Sequence, residues 1–422
     1  MGAMNARARP AGTDLHLIDS AVAARRLLIT LALMTLGGSA MYVVSVVIPQ
    51  VEREFGISRA MASVPYTAMM LGFGVGGIFM GRWADRVGVQ MPVAVGGAAL
   101  GLGFVLAGLS DSIWTFALAH SLLLGLLGNA STMVPLVADT SLWWQKYRGR
   151  AVAVCASGNY VAGTIWPAAA QYGVEHIGWR QTYIALGLFC GIGMVLLSLG
   201  MRRPAPVAAA PVAGSAQARH GDRPFGLPAG QATLLLCVAG LACCVAMAMP
   251  QVHIVAYCTD LGFGAARGAE MLSLMLFCGI ISRLVFGVIS DRIGGLRTLA
   301  LGSLLQGIAL LLFLPFDGLV PLYVISALFG LFQGGIVPSY AIIVREHFPL
   351  NQVGERVGAI IMATLVGMAL GGWMSGKVFD LTGSYHAAFI NGIAWNLLNF
   401  SIALWLLHRS GHLRQWLGRR LV

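Results

Sequence analysis

Twelve runs of about twenty predominantly apolar residues recur along this chain, near 27–49, 61–80, 91–110, 113–137, 150–171, 180–201, 230–257, 269–290, 298–315, 318–343, 357–377 and 386–408. A helix rises about 1.5 Å per residue, so each run crosses a hydrocarbon layer about 30 Å thick. A soluble alternative would need twelve buried helices and a polar shell around them. Only 10% of the residues are charged, against about 25% in soluble domains, so no such shell can be built. The sequence therefore predicts an all-α, polytopic membrane protein of twelve transmembrane helices in two six-helix bundles. The first run is too long for the apolar core of a cleavable signal.

The runs fall into two groups of six. We expect a cytoplasmic N-terminal segment at 1–26, an N-terminal bundle at 27–201, a cytoplasmic linker at 202–229, a C-terminal bundle at 230–408 and a cytoplasmic tail at 409–422. The linker is set apart by Pro204, Pro206 and Pro211 followed by Gly, Ser and charged residues, the composition of a tether with no apolar period. With the N-terminus inside, 21 of the 27 Lys and Arg fall on cytoplasmic segments, five fall outside and Arg283 lies within a span. That bias orients both termini to the cytoplasm. The net charge of +11 is then a topology signal with an attraction to anionic lipid, and nucleic acid is not expected as a partner.

An internal repeat runs at a constant offset. Gly81, Asp85, Arg86 and Gly88 in Gly-Arg-Trp-Ala-Asp-Arg-Val-Gly recur 206 residues later as Gly287, Asp291, Arg292 and Gly294 in Gly-Val-Ile-Ser-Asp-Arg-Ile-Gly. The same offset relates Arg150 to Arg356 and Gly128 to Gly334, which makes the two bundles pseudo-symmetric. The first Gly of the motif permits close helix approach, and the Asp and Arg can pair with a neighbouring helix end. Such a contact can lock one side of the molecule and break when that side opens. Twelve spans, a central linker and this loop motif between spans two and three, repeated between eight and nine, resemble the major facilitator superfamily. The resemblance implies two bundles rocking about a central site with access alternating between sides.

A polar group at membrane depth marks such a site, because a lone Arg there costs about 2.5–3.5 kcal/mol on insertion scales. Arg283 is the one unambiguous case. It lies eight residues before Asp291, or about 12 Å from the inner end. Its planar fork fits a carboxylate; the alternative is a structural pair with a buried acid, although no acid lies at that depth in the sequence. The segment Trp143–Gly158 resembles the fifth-span signature of monocarboxylate transporters: two aromatics, a spaced Lys, basic residues, then small residues ending in Gly. Pro250–Gly262 is similar to the seventh span of bacterial relatives of that family and of oxalate/formate exchangers. The resemblance implies that Arg283 receives a substrate carboxylate, and it places the chain in the cell membrane, here a bacterial inner membrane. Two departures touch proton coupling. The span Leu27–Pro49 has no charge, and Gly279 stands where animal members carry an Asp.

Tyr42, Asn129, Asn159, Tyr160 and Gln333 fall near mid-span and are candidates to complete the substrate site, with helix–helix hydrogen bonds as the alternative role. His253 and Tyr257 share a helix face one turn apart, beside Pro250, and are candidates for a gate or for proton coupling. The expected function is secondary transport of a small organic anion, which the family resemblance implies is a monocarboxylate, by proton symport or anion exchange. The rivals are drug or cation efflux, which calls for a buried acid, and a non-transporting receptor, which calls for a sizeable soluble domain. No P-loop, catalytic constellation or metal-ligand spacing is present, so neither an enzyme nor a cofactor is expected. The seven cysteines read as small buried side chains. A small anion, a proton and the bilayer are the expected partners of a monomer.

Overall fold

In hydrocarbon each backbone polar group must be satisfied within its own segment, so an apolar run becomes a helix. The computed structural model describes residues 15–205, 224–349 and 352–410, and among them the twelve runs form twelve long helices. These are α1 Ala21–Phe55, α2 Arg59–Val87, α3 Gln90–Gly108, α4 Ile113–Trp143, α5 Arg148–Ile177, α6 Trp179–Met201, α7 Ala229–Asp260, α8 Ala265–Ile293, α9 Gly295–Leu312, α10 Leu319–His347, α11 Val353–Thr382 and α12 Tyr385–Arg409. Eleven are long and apolar enough to cross a membrane by length and composition alone. The other, α5, is diluted by Asn159, Gln171 and Glu175. The chain is thus a multi-pass membrane protein. Much of the expected linker, at 206–223, and the terminal segments 1–14 and 411–422 lie outside the described residues.

The repeat is visible in the backbone. Gly88 and Gly294 both adopt positive φ, 84° and 82°, and each ends its helix by donating its N–H to the carbonyl four residues back, Ala84 and Ser290. Irregularity recurs at the matched positions as well. α4 is π-helical over Ala119–Asn129, and α10 is interrupted at Gly334 and Gly335. Gly128 and Gly334, related by the offset, are each packed hard. An added Cβ would meet the Leu123 carbonyl oxygen at 2.9 Å in one case and that of Gly279 at 2.6 Å in the other. The first glycines of the motif differ. Gly81 packs on Val134, whereas Gly287 has open space around it, so the expected close helix approach holds for the first copy alone.

The two halves meet along α5 against α8 and α2 against α11. Gly163 takes the side chain of Leu276, and Tyr66 lies on Gly372. Small residues allow such approach where lipid supplies no hydrophobic drive between helices. Packing is uneven along this seam. We call the end carrying the motif loops and the described termini the near end, and its opposite the far end. On α11, Gly376 at the far end touches the backbone of Arg59 and Ala60, whereas Gly354 and Gly358 at the near end have no neighbour within 4 Å. The halves are closed together at the far end, whereas these near-end positions of α11 are uncovered.

Candidate functional site

Arg283 projects from α8 across the seam. Its guanidinium stacks on the Tyr160 ring of α5, 4.4 Å from the centroid, and Nη1 donates to the Ala156 carbonyl at 3.2 Å. Ala156 lies eight residues into α5 and Arg283 eight residues before Asp291, so both sit about 12 Å from the near end. Nε is buried with no acceptor. No carboxylate pairs with this cation among the described residues. A guanidinium held by a ring and one carbonyl keeps donors free for an oxyanion.

The ring stack depends on a glycine. A Cβ at Gly279, one turn before Arg283, would lie 2.5 Å from Tyr160 Cε1, so the tyrosine fills the space that an aspartate would need. The Tyr42 hydroxyl, from α1, lies within reach of the Asn159 side chain and of the charge on Arg283. Tyr66, absent from the sequence-derived candidates, joins beside Tyr42, with its hydroxyl buried and unpartnered. Spans one and five of one half thus bring Tyr42, Asn159 and Tyr160 to the Arg283 of the other, with Tyr66 of span two behind Tyr42. Two further candidates lie outside this cluster. Gln333 accepts a hydrogen bond from Gln251 at 2.9 Å, and Asn129 ends the π-helical stretch of α4 with its amide nitrogen unpartnered.

His253 is fully buried. Its Nε2 faces the Gly372 carbonyl at 2.7 Å and its Nδ1 faces the Tyr385 hydroxyl at 3.3 Å. Tyr385 accepts from Arg59 Nη1 at 2.6 Å. Arg59, also missed in the sequence, is the hub of the far end. From the N-terminal half it donates to Glu52 of its own half and to both carboxylate oxygens of Asp260 in the other, at 2.9 and 3.3 Å. Asp380 accepts from the backbone N–H groups of Arg59 and Ala60, both at 2.9 Å, closing the seam a second time. Tyr257 packs its ring against Tyr385 and leaves its hydroxyl without a partner.

The near end contrasts with this. Asp85, Arg86, Asp291 and Arg292 are exposed and make no ion pair among the described residues. The buried pair there, Arg26 with Asp139 at 2.8 and 2.9 Å, lies within the N-terminal half and does not hold the halves together. His120 likewise bonds within its half, to the Phe116 carbonyl and the Tyr183 hydroxyl. A surface groove of about 540 Å³ lined by Leu106, Leu109, Leu118 and Leu122 is a largely apolar far-end surface remote from this chemistry.

Two six-helix halves, latched at one end and carrying a cation with no acidic partner among the described residues on their seam, have the architecture of a membrane transporter. The family model of the Major Facilitator Superfamily matches residues 28–319 and 234–419, and the chain belongs to that superfamily. Among its relatives is a bovine protein named monocarboxylate transporter 13, 27% identical over 357 residues, which span 82% of this chain and 80% of the relative. Another is the uncharacterised MFS-type transporter YcxA of Bacillus subtilis, 27% identical over 346 residues, covering 78% of this chain and 82% of that one. A bacterial homologue of the human lysosomal transporter Spinster, solved inward-facing and unoccupied, shares the fold with a TM-score of 0.67 at 14% identity, covering 93% of this chain and 96% of the other.

Proposed function

We propose that this chain is a secondary active transporter that carries a small organic anion, a monocarboxylate, across a bacterial inner membrane, with both termini in the cytoplasm. The near end is then cytoplasmic and the far end faces outward. The observation that carries the reading is the Arg283 guanidinium on the seam, with Nε buried and unpartnered and no acid paired with it among the described residues. A substrate carboxylate satisfies that donor and replaces the weak contact to the Ala156 carbonyl. The Tyr42 hydroxyl and the Asn159 amide supply neutral hydrogen bonds beside it, which suits a solute with one charge and a short polar or apolar body. The naming of the bovine relative supports the same substrate class. Because the anchor touches both halves, occupancy biases the rocking of one against the other, which is how a bound solute can be coupled to a change of access.

Uptake into proteoliposomes tests this, with lactate as the probe. A charge-assisted hydrogen bond is worth about 1.5–3 kcal/mol, so Arg283→Lys, which keeps the charge and loses the fork, is expected to lower uptake by about 10- to 100-fold while leaving the melting midpoint in detergent unchanged. Normal accumulation by that variant rejects the anchor. Collapsing an imposed proton gradient with an uncoupler separates symport, in which uptake stops, from exchange, in which counterflow against internal lactate persists.

A further inference from the structure

We propose that His253 is a proton-binding site of this transporter, and that a proton arriving there from outside releases the far-end latch between the halves. The inference uses the transport reading only for the existence of two access states, and does not depend on which solute Arg283 holds.

The hydrogen bonds fix the starting state. A carbonyl oxygen can only accept, so His253 Nε2, at 2.7 Å from the Gly372 oxygen, carries the hydrogen. Nδ1 of the neutral ring is then an acceptor, and the Tyr385 hydroxyl facing it at 3.3 Å is the donor. That hydroxyl in turn accepts from Arg59 Nη1, and the same nitrogen donates to Asp260 Oδ2 at 2.9 Å. Five groups are therefore linked: Arg59 of α2 donates to Tyr385 of α12, Tyr385 to His253 of α7 and His253 to the Gly372 carbonyl of α11, while Arg59 also donates to the carboxylate that binds it across the seam.

Adding one proton reverses a link in that chain. Nδ1 gains a hydrogen, loses its lone pair and becomes a donor. Tyr385 now faces two donors, Nδ1–H and Arg59 Nη1–H, and its own hydrogen has lost its acceptor. Its oxygen can keep both only if the hydroxyl hydrogen turns to a new acceptor, so the two donors compete for one oxygen and the Arg59 contact is weakened. The imidazolium also stands one hydroxyl away from a guanidinium. The charges that reach the ring are Arg59, from α2, and Asp380, from α11. The titratable groups packed near it are Tyr385 from α12 and Tyr257 on its own helix, with Glu52 and Asp260 beyond Arg59. Asp380 is already engaged by two backbone N–H groups, so it is a poor counter-ion for a new cation. Both effects push Arg59 from its place, and with it the pairing to Asp260.

The other buried titratable groups do not share this connection. His120 bonds within the N-terminal half, and Arg26 with Asp139 forms a closed pair in that same half. Water reaches the far-end side of the relay, where Asp260 is 34% exposed. A proton therefore enters from the outer face, which is the face it opens.

Spin labels at Asp111→Cys, exposed at the far end of the N-terminal half, and Leu381→Cys, 73% exposed at the far end of the other, report the latch in nanodiscs without substrate. The seven native thiols are buried or half-buried. Acidification from pH 8 to pH 5 is expected to add a longer-distance population in the otherwise native protein. His253→Gln, which keeps a neutral donor for Gly372, and Tyr385→Phe, which cuts the link to Arg59, are each expected to abolish that response. A native protein whose distances ignore pH overturns the proposal, and so does an undiminished response in either variant. With no solute in the assay, failure here leaves the Arg283 anchor standing, and failure of Arg283→Lys to affect uptake leaves this result intact.

Discussion

At the scale of single residues, the proposed carboxylate anchor is built from an arginine, a tyrosine and the glycine that lets them meet. A cation over a ring contributes from about 0.5 kcal/mol where exposed to about 2 kcal/mol where desolvated. Tyr160→Ala is therefore expected to raise the KM for lactate by about 2- to 30-fold, converting that energy at 1.4 kcal/mol per decade, whereas Tyr160→Phe keeps the stack and stays close to native. Gly279→Ala should resemble Tyr160→Ala, since its Cβ would stand 2.5 Å from the ring and the ring must move. Uptake measured against substrate concentration separates the three. Arg283 was legible in the sequence because a charge amid Phe277–Gly287 has no neighbour to explain it. Tyr160 was legible only as a polar residue at depth, since its contact with Gly279 joins positions 119 apart on different halves. Tyr66 and Arg59 escaped because both sit near a span end, where a tyrosine or an arginine reads as an interfacial anchor.

At the scale of helices, the repeat was readable in full as an offset, and the structure adds that its two copies carry different loads. Gly88 and Gly294 end their helices with φ of 84° and 82° and ψ near 165°, a region essentially closed to residues with a Cβ. Gly88→Ala and Gly294→Ala are each expected to destabilise the protein by about 1–3 kcal/mol, seen as a lowered unfolding midpoint in detergent. The opening glycines should not behave alike. Gly81→Leu drives a side chain into Val134, whose Cγ1 would already lie 3.0 Å from a Cβ, while Gly287→Leu enters open space and should leave the midpoint unchanged. Equal effects at 81 and 287 would mean that Gly287 is packed in the ensemble that dominates in detergent. Sequence alone marks the two as equivalent because it records the duplicated ancestor, and the difference arises only from what each helix packs against. The π-helical stretch of α4 had no such trace, since Ala119–Asn129 is composed like any other apolar span.

At the scale of the whole molecule, the proposed alternation of access would have its balance set by the far-end contacts. Arg59 is 6% exposed and holds carboxylates from both halves, so Arg59→Gln leaves Glu52 and Asp260 without their cation only while the far end is shut. Opening rehydrates both acids and relieves the penalty. Truncating one partner of a buried, hydrogen-bonded charge pair costs about 2–5 kcal/mol, and the lower figure applies because Asp260 is 34% exposed. A change of about 2 kcal/mol alters the ratio of the two states by about 30-fold, enough to bring a 99:1 preference close to balance. If the halves rock as rigid bodies, opening the far end must close the near end, where Gly358 now faces open space. An impermeant maleimide applied to inside-out vesicles is therefore expected to label Gly358→Cys readily in the native background and several-fold more slowly once Arg59→Gln is added. Unchanged labelling would mean that the far-end contacts do not set the equilibrium, and that Gly372, Gly376 and their apolar partners hold the seam by packing alone. Apart from Glu52, the network could not be read from the chain, because its other members lie 201, 321 and 326 residues from Arg59 and only the folded bundle brings them to one end.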